Sequence, residues 1–367
     1  MTASAPLAFE PPHRTLGQRL GPPLLRWLEG QLPTLLAIGV SIVIFGGFVA
    51  AAGHDPLEVY SEMYRGAFGT WFSFQNSLLR AAPLMLTGLC TALPARLGLM
   101  IIGGEGALVV GGLAAAGSAA ALQGSPPLVV TVGMMLGSML AGGIWIGAAG
   151  ALRALRGVNE TIGSLLLSYI GIALFNHVVE GPFRDPASLN KPSTPPIGEA
   201  NMLGNLPGLD VHVGLAFGVV GCLICYVLME HTVFGFSARI VGGNARAARL
   251  SGLGVPRLII ITCAIAGAAA GLAGMVEVAA IHGSANASLM AGYGYAGILV
   301  AFLARHNAAG ILPVALLLGG INASGGLLQR TFGLPDAAVN VLTGIAFVVL
   351  LGSETYRGQL RLTKSVN

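Results

Sequence analysis

Two carboxylates within long apolar runs are the residues best placed to do chemistry in this chain. Glu105 follows a Gly-Gly pair between two apolar runs, and Glu277 lies inside another. An ionised carboxylate at the centre of a membrane helix costs about 2.5–3.5 kcal/mol, so each acid needs a partner or a purpose. Glu105 either lines a solute pathway or caps backbone amides at a broken helix. Glu277 is either a pathway acid or an interfacial residue that reaches water.

Polar residues in and just before the apolar run at 161–180 are further candidates for the solute pathway. Asn159 and Glu160 open a helix, where a capping Asn and a first-turn Glu are favoured on structural grounds alone, so a cap and a cytoplasmic gate both stay open. Tyr169 and Asn176 follow on the same run and could stack on or hydrogen bond to a planar or sugar-like solute, as could Tyr293 and Tyr295. The pathway candidates are Glu105, Asn159, Glu160, Tyr169, Asn176 and Glu277.

Enzyme and metal signatures do not occur in the sequence. It has no GxxxxGK[ST] phosphate loop, no zinc-ligand spacing and no Ser-His-Asp order, so we predict no catalytic residue, no metal site and no cofactor bound by this chain. Cys222 and Cys225 have CxxC spacing, but they lie in an apolar run without a second cluster. We expect them to be inert buried thiols.

Composition indicates that these residues are held in a lipid environment. Apolar residues make up 54% of the chain and charged residues only 9%, whereas soluble domains carry about 25% charged residues. The 55 glycines suit closely packed membrane helices, and the GxxxG spacing from Gly267 to Gly274 predicts such a contact. The net charge of +4 is scattered over short loops, which gives no basis for nucleic-acid binding.

The apolar runs predict an all-α integral membrane protein with a bundle of about ten transmembrane helices. Residues 1–31 form a cytoplasmic N-terminal tail, 32–353 a single transmembrane domain and 354–367 a cytoplasmic C-terminal tail. Most Arg and Lys residues fall on one side if both termini are cytoplasmic, which predicts N-in, C-in topology. The run at 293–304 is too short to cross a bilayer and predicts a broken or re-entrant helix. The predicted spans are 32–53, 77–96, 101–122, 127–151, 161–180, 211–230, 257–281, 293–304, 309–328 and 337–353.

The segment between the sixth and seventh predicted spans predicts a short cytoplasmic helix. Asn244 is a good N-cap, 245–250 is a strong helix former, and Gly252 can end the helix. One face carries small residues, including Ala248, and the other carries arginines. Such a helix could dock as a rigid peg into a partner protein or lie on anionic lipid headgroups, and the residues alone leave both possibilities open.

The motif around this helix resembles a known family. Its order Gly-Phe-x-x-Arg-x-x-Gly-x-Asn-x-x-Ala-Ala-x-x-Ser-Gly is similar to the coupling segment of ABC importer permeases of the ribose, nucleoside and branched-chain amino acid type. Residues 97–106 and 157–160, followed by Tyr169, resemble further motifs of these permeases, as do 266–274 and 292–301. The chain departs from the family pattern at Ile101, Ala107, Ser168 and Ala308, and the first three of these remove polar groups near the presumed pathway.

The resemblance implies a multi-pass permease subunit in the bacterial plasma (inner) membrane. It implies three protein partners: ABC ATPase subunits that hold ATP-Mg, a second permease subunit that is identical or homologous, and a periplasmic or lipid-anchored solute-binding protein. The solute would be a nucleoside or simple sugar, with a branched-chain amino acid as the alternative; an ATPase-independent secondary transporter is the alternative from another class. The residues implied in coupling to the ATPase are Arg239, Gly242, Asn244, Ala247, Ala248 and Gly252.

Overall fold

The computed structural model describes residues 23–355, with side chains described for 34–353. The described residues form thirteen α-helices and contain no strand, only two isolated bridges. Two π-helical turns, Arg65–Gly69 and Glu277–His282, follow α2 and α10. The helices are α1 Pro23–Ala51, α2 Pro56–Tyr64, α3 Trp71–Ala95, α4 Gly104–Ala121, α5 Pro127–Arg156, α6 Glu160–Glu180, α7 Gly214–His231, α8 Val233–Gly243, α9 Ala245–Leu250, α10 Val255–Val276, α11 Tyr293–Leu303, α12 Ala308–Phe332 and α13 Ala338–Thr355.

Eight helices in the described part of the chain are long and apolar enough to cross a membrane: α1, α3 to α7, α10 with its π-helical turn, and α12. Each of the ten predicted spans coincides with a helix, but α11 and α13 are shorter than this criterion requires. The molecule is therefore an all-helical membrane bundle. Helix α1 begins at Pro23, inside the segment predicted to be a tail; residues 1–22 and 356–367 lie outside the described residues.

The boundaries of the predicted span at 101–122 were wrong at its start. Residues 99–102 are not helical, and α4 begins only at Gly104. The sequence also gave no warning of α2, which Asp55 caps by accepting the Leu57 amide at 2.8 Å, or of the π-helical turn that ends α10. The cap of α2 is local, whereas the start of α4 and the π-helical turn depend on tertiary contacts, because runs of apolar residues mark spans without marking where a helix breaks.

Close packing of α4, α5 and α10 forms the centre of the bundle. A Cβ atom added at Gly271 would lie 2.1 Å from the Ser138 carbonyl oxygen, and one at Gly274 would lie 2.0 Å from that of Leu108. Backbones can approach this closely only where a side chain is absent. The predicted role of the 267–274 segment in helix packing is thus confirmed. By contrast, α13 packs mainly against α1 and has few contacts with α11 and α12.

Candidate functional site

A break between α3 and α4 is held by three hydroxyl groups on one face of α6. Ser164 Oγ accepts the Ile102 amide at 3.0 Å, and Ser168 Oγ accepts the Gly106 amide at 3.3 Å. Thr161 donates its hydroxyl to a carbonyl of the break, that of Met100, at 3.0 Å. Non-helical backbone within a membrane bundle is tolerated only when its polar groups are satisfied, and α6 supplies the partners.

Glu105 closes the other side of the break. Its side chain is buried, and its two carboxylate oxygens accept the backbone amides of Gly292 at 2.9 Å and Gly294 at 2.6 Å. These amides belong to the N-terminus of α11, and Glu105 itself lies in the first turn of α4. The positive ends of two helices therefore meet at one carboxylate. Of the two predicted readings, this geometry corresponds to the cap.

Glu277 lies in the π-helical turn that ends α10 and is also buried, at 2% exposure. One carboxylate oxygen is 3.5 Å from His282 Nε2, and the other has no hydrogen-bond partner among the described residues. The expectation that Glu277 reaches water at the interface does not fit this burial. Single π-helical turns often occur at functional sites, so Glu277 remains a pathway candidate.

The remaining pathway candidates lie along α6. Asn159 caps this helix by accepting the Thr161 and Ile162 amides at 3.0 and 3.1 Å, and Glu160 makes an ion pair with Arg153 at 3.2 Å. Tyr169 is exposed on α6 and Asn176 is half-buried. The structure does not bring these residues together with Glu105 and Glu277 into one site.

A cavity of about 640 Å³ lies among α3, α11, α12 and α13. Its walls combine hydrogen-bonding groups with aromatic rings, which is typical of small-molecule sites of about 300–1,000 Å³. None of the six pathway candidates is among the residues that line it. The polar and aromatic residues of the lining are Arg80, Tyr293, Tyr295, Asn322, Asp336, Asn340, Thr343 and Phe347.

Sequence reasoning named the two tyrosines of this cavity and missed its other polar residues. A signal existed on α13 and the turn before it, since positions 336, 340, 343 and 347 recur at the spacing of one helix face. The side chains at these positions are Asp, Asn, Thr and Phe in that order. The polar position at Asn322, inside an apolar helix, was a second signal.

The cavity extends far below the surface of the bundle. Arg80 lies about 14 Å along the α3 axis from Trp71, and Asn322 about 15 Å along α12 from its end at Phe332, at 1.5 Å per residue. Each of these lengths is about half the hydrocarbon thickness of a bilayer, which is about 30 Å. Arg80 is exposed and lines this cavity.

The predicted short helix is confirmed as α9. Asn244 caps it by accepting the Arg246 and Ala247 amides at 3.0 Å each, and Gly252 follows it with φ +84°. Ala248 is fully buried within its own chain, so it is not available for a partner. Leu250, which the sequence did not single out, is 86% exposed.

Helix α8 fixes α9 to the bundle. Glu230 makes two ion pairs. One carboxylate oxygen accepts a hydrogen bond from the Arg96 guanidinium at 2.8 Å, and the other accepts one from Arg239 at 2.5 Å. The Arg96 Nε also donates to the His306 carbonyl at 2.9 Å. A Cβ atom at Gly242 would lie 2.2 Å from the Arg96 carbonyl oxygen, so α8 packs directly on the end of α3. Arg239 and Gly242 thus bind their own chain in this structure.

The described residues contain no group of three or more His, Cys, Asp or Glu side chains arranged to hold a metal ion. The four cysteines are free and buried.

Comparisons with known proteins identify the family. Residues 73–351 match the model for the branched-chain amino acid transport system permease component. The chain is 32% identical to a glucose ABC transporter permease of Haloferax volcanii over 90% of this chain and 89% of that protein. It is 29% identical to a guanosine ABC transporter permease of Bacillus subtilis over 88% and 90%. A ribose import permease of Escherichia coli is 35% identical over 27% of this chain and 33% of its own.

The family match also settles the general role. Permeases of this kind are transporter components and not enzymes, their ATPase is a separate subunit, and their importers include a solute-binding protein. The chain belongs to the branched-chain amino acid transport system permease family and is a multi-pass ABC importer permease of the bacterial plasma membrane.

Proposed function

We propose that this permease imports a nucleoside or a simple sugar, driven by an ATPase that docks on α9. The solutes in the names of the relatives are glucose, guanosine and ribose, which favours this class over branched-chain amino acids. ATP-Mg is held by the ATPase, and this chain binds no cofactor of its own. A solute-binding protein delivers the solute on the outer side, near residues 181–209.

The exposure of Leu250 is the observation that carries the coupling proposal. It is an apolar side chain, 86% exposed, on a two-turn helix that Asn244 caps and that α8 holds against the bundle. A rigid, capped helix that presents an apolar residue between exposed arginines is suited to a protein groove, where burial of the leucine side chain stabilises the complex by about 1.5–3 kcal/mol. Movement of α9 would bias a bundle that has outward-open and inward-open states.

The topology that fits this role has ten crossings with both termini inside. Helices α11 and α13 would complete the eight long spans, with α11 as a broken helix whose start Glu105 caps. This arrangement puts α9 in the cytoplasm and the 181–213 loop outside. We infer one transmembrane domain over 32–353, with cytoplasmic segments at 1–31 and 354–367.

A second permease subunit, identical or homologous, is expected to pack beside this one. The outward face of α6 is a row of exposed apolar residues next to the edge of the cavity, and lipid or a second subunit must cover it. These residues are Ile162, Leu166, Tyr169 and Ile170. In this arrangement both cavities would lie close to the shared interface, and lipid would cover the remaining apolar faces.

Copurification with the cognate ATPase tests the coupling proposal. Leu250→Asp should weaken ATPase binding at least about tenfold, because apolar burial is lost and an unpaired charge enters the groove, while the permease itself remains folded. Leu189→Asp is the matched control, because Leu189 is 82% exposed in the outer loop. Ala247→Glu is a second test on the exposed side of α9. Equal ATPase binding by wild type and Leu250→Asp would refute docking on α9, and transport without any ATPase would favour a secondary transporter.

A further inference from the structure

A chain of contacts runs from α8, the helix before α9, to the turn that follows α11. Glu230, near the end of α7, pairs with Arg239 of α8 at 2.5 Å and with Arg96, just after α3, at 2.8 Å. The Arg96 Nε also donates to the carbonyl oxygen of His306, in the turn between α11 and α12, at 2.9 Å. One guanidinium group therefore joins α8 to the end of α11 through two different donors.

The turn that follows α11 has a strained backbone. Arg305 and His306 have φ values of 53° and 55°, in the left-handed region that residues with a side chain rarely adopt. Such conformations persist where the surrounding structure holds them, and they are frequent in switch regions. The hydrogen bond from Arg96 to the His306 carbonyl is one such restraint. A change in this bond would let the turn relax and carry the end of α11 with it.

Helix α11 connects this turn to the cavity. Tyr295 and Ala296 of α11 both line the cavity. The His306 ring makes an edge contact to Phe302 of α11, with centroids 4.9 Å apart, and Phe302 makes another to the lining residue Phe347, at 6.5 Å. A shift of α11 would thus move one wall of the cavity directly and would reach the wall formed by α13 through Phe302.

The opposite end of α11 is tied to the 181–213 loop. The Thr194 amide donates to the Ala285 carbonyl and the Ile197 amide to the Gly283 carbonyl, at 2.9 Å each, in the segment that leads to α11. One end of α11 is therefore connected to the loop proposed to receive the solute-binding protein, and the other to the helices proposed to receive the ATPase. Contiguous contacts of this kind can couple distant sites when they include an element with two arrangements.

We propose that Arg96 is the positioning residue through which α8 and α9 move α11, so that the nucleotide state of the ATPase sets the access to the cavity. This inference rests on the proposed docking of the ATPase on α9 and adds the route from α9 to the cavity. The role requires an arginine, because Nε–H serves the turn while a terminal nitrogen serves Glu230. A lysine keeps a charge for Glu230 but has no donor at the Nε position.

Thiol labelling in the permease–ATPase complex tests this role. Ala296→Cys places a thiol in the cavity wall on α11, and the four native cysteines are buried, so the background is low. The complex is held in lipid nanodiscs, either without nucleotide or with Mg²⁺ and a non-hydrolysable ATP analogue, and is labelled with a small methanethiosulfonate reagent. The labelling rate should differ about tenfold between the two states, within the range usual for coupled sites.

Two further variants, each made in the Ala296→Cys protein, cut the connection on either side of Arg96. Arg96→Lys removes the donor to the His306 carbonyl, and Glu230→Gln neutralises the group that Arg96 shares with α8. In both, the labelling rate should be the same with and without nucleotide while the ATPase stays bound. A purely structural residue would change heat resistance without removing this nucleotide dependence. Glu230→Gln decides the question if Arg96→Lys does not fold.

Arg65→Lys is the matched control, since the same replacement is made in an ion pair with Glu62, only three residues away in the sequence. The tenfold difference should persist in this protein. Its persistence in Arg96→Lys or Glu230→Gln would overturn the inference, because nucleotide would then reach α11 by another route. Loss of ATPase binding by a folded Arg96→Lys protein would assign Arg96 to holding α9 and would overturn it too.

A parent protein that binds the ATPase but labels equally in both states would show that α11 does not follow the nucleotide. Failure of the importer proposal is seen separately, as the absence of any permease–ATPase complex.

Discussion

The break between α3 and α4 and the cavity beside α13 use polar groups in opposite ways. At the break, every polar contact that we describe is made within the chain: hydroxyls of α6 and the carboxylate of Glu105 satisfy backbone amides. At the cavity, Asp336 and Asn340 are exposed and make no side-chain hydrogen bond among the described residues. The difference separates a structural centre from a binding surface. Substitutions at the break should therefore reduce stability, and substitutions in the cavity should alter solute handling.

Glu105→Ala should have the largest effect. It leaves the Gly292 and Gly294 amides buried without partners, which costs about 1–3 kcal/mol for each amide. We expect a large loss of folded protein, measured by size-exclusion chromatography after heating in detergent. Glu105→Gln, which keeps one carbonyl acceptor, should fall between wild type and Glu105→Ala. A Glu105→Ala protein as heat-resistant as wild type, with solute transport lost, would instead make Glu105 a pathway residue.

Gly294→Ala should destabilise the same junction by overpacking. Its Cβ atom would lie 2.1 Å from the Glu105 backbone nitrogen, and such a clash costs about 1–3 kcal/mol. Gly117→Ala on α4 is the matched control, because nothing lies within 4 Å of the added Cβ atom. The same heating assay compares the two. Equal losses for both variants would argue against close contact between α4 and α11.

Asp336→Asn tests the opposite side of the comparison between the break and the cavity. It should alter solute uptake and leave stability unchanged. The amide keeps the shape of the side chain but accepts fewer hydrogen bonds from hydroxyls, so we expect the KM for nucleoside uptake to rise about tenfold, or 1.4 kcal/mol. Resistance to heating should be unchanged within about 0.5 kcal/mol, as for most exposed positions. Glu58→Gln provides the control, because Glu58 is exposed on α2 and lies outside the 181–209 loop. An unchanged KM would remove Asp336 from the solute site.

Ser168→Ala should cost about 1 kcal/mol, since a single neutral hydrogen bond to the Gly106 amide is lost. Ser164→Ala, which frees the Ile102 amide, should have a similar effect. Both variants should transport with a wild-type KM. A changed KM in Ser168→Ala, without a change in heat resistance, would place α6 in the pathway.

His212 should have the smallest effect on stability. It is a buried polar side chain that belongs neither to the break nor to the cavity. It lies just before α7, is buried, and neither ring nitrogen has a partner among the described residues. Burial lowers the pKa of His212 below its usual 6.5, so the folded state holds this ring neutral. Below pH 6.5 the unfolded chain gains the proton first, so stability should be lost as the pH falls.

The test of this effect is the pH dependence of heat resistance. His212→Leu should flatten the decline that wild type shows between pH 7 and about pH 5. An identical decline in both proteins would assign it to other groups.

The sequence was sufficient to predict the membrane class, the ten apolar runs and the small capped helix at 245–250. Each of these depends on local information: hydropathy, glycine spacing or an N-cap residue. The assignment of Tyr293 and Tyr295 to a solute site remains a prediction that their position in the cavity supports.

The sequence could not predict the contacts that candidate residues make with distant parts of the chain. Glu105 binds amides at 292 and 294, Arg239 binds Glu230, and Ala248 is buried by its own chain. No periodic pattern records such contacts. The polar residues of the cavity come from α3, α12 and α13, and only folding brings them to one place.

The most direct test of the account is ATP-driven uptake. Proteoliposomes would contain the permease with its ATPase and solute-binding protein, and radiolabelled inosine would be followed with ATP or with a non-hydrolysable analogue. The account predicts uptake only with ATP and loss of this uptake in Leu250→Asp. Inosine uptake that is equal with ATP and with the analogue, or that persists in Leu250→Asp, would contradict coupling through α9.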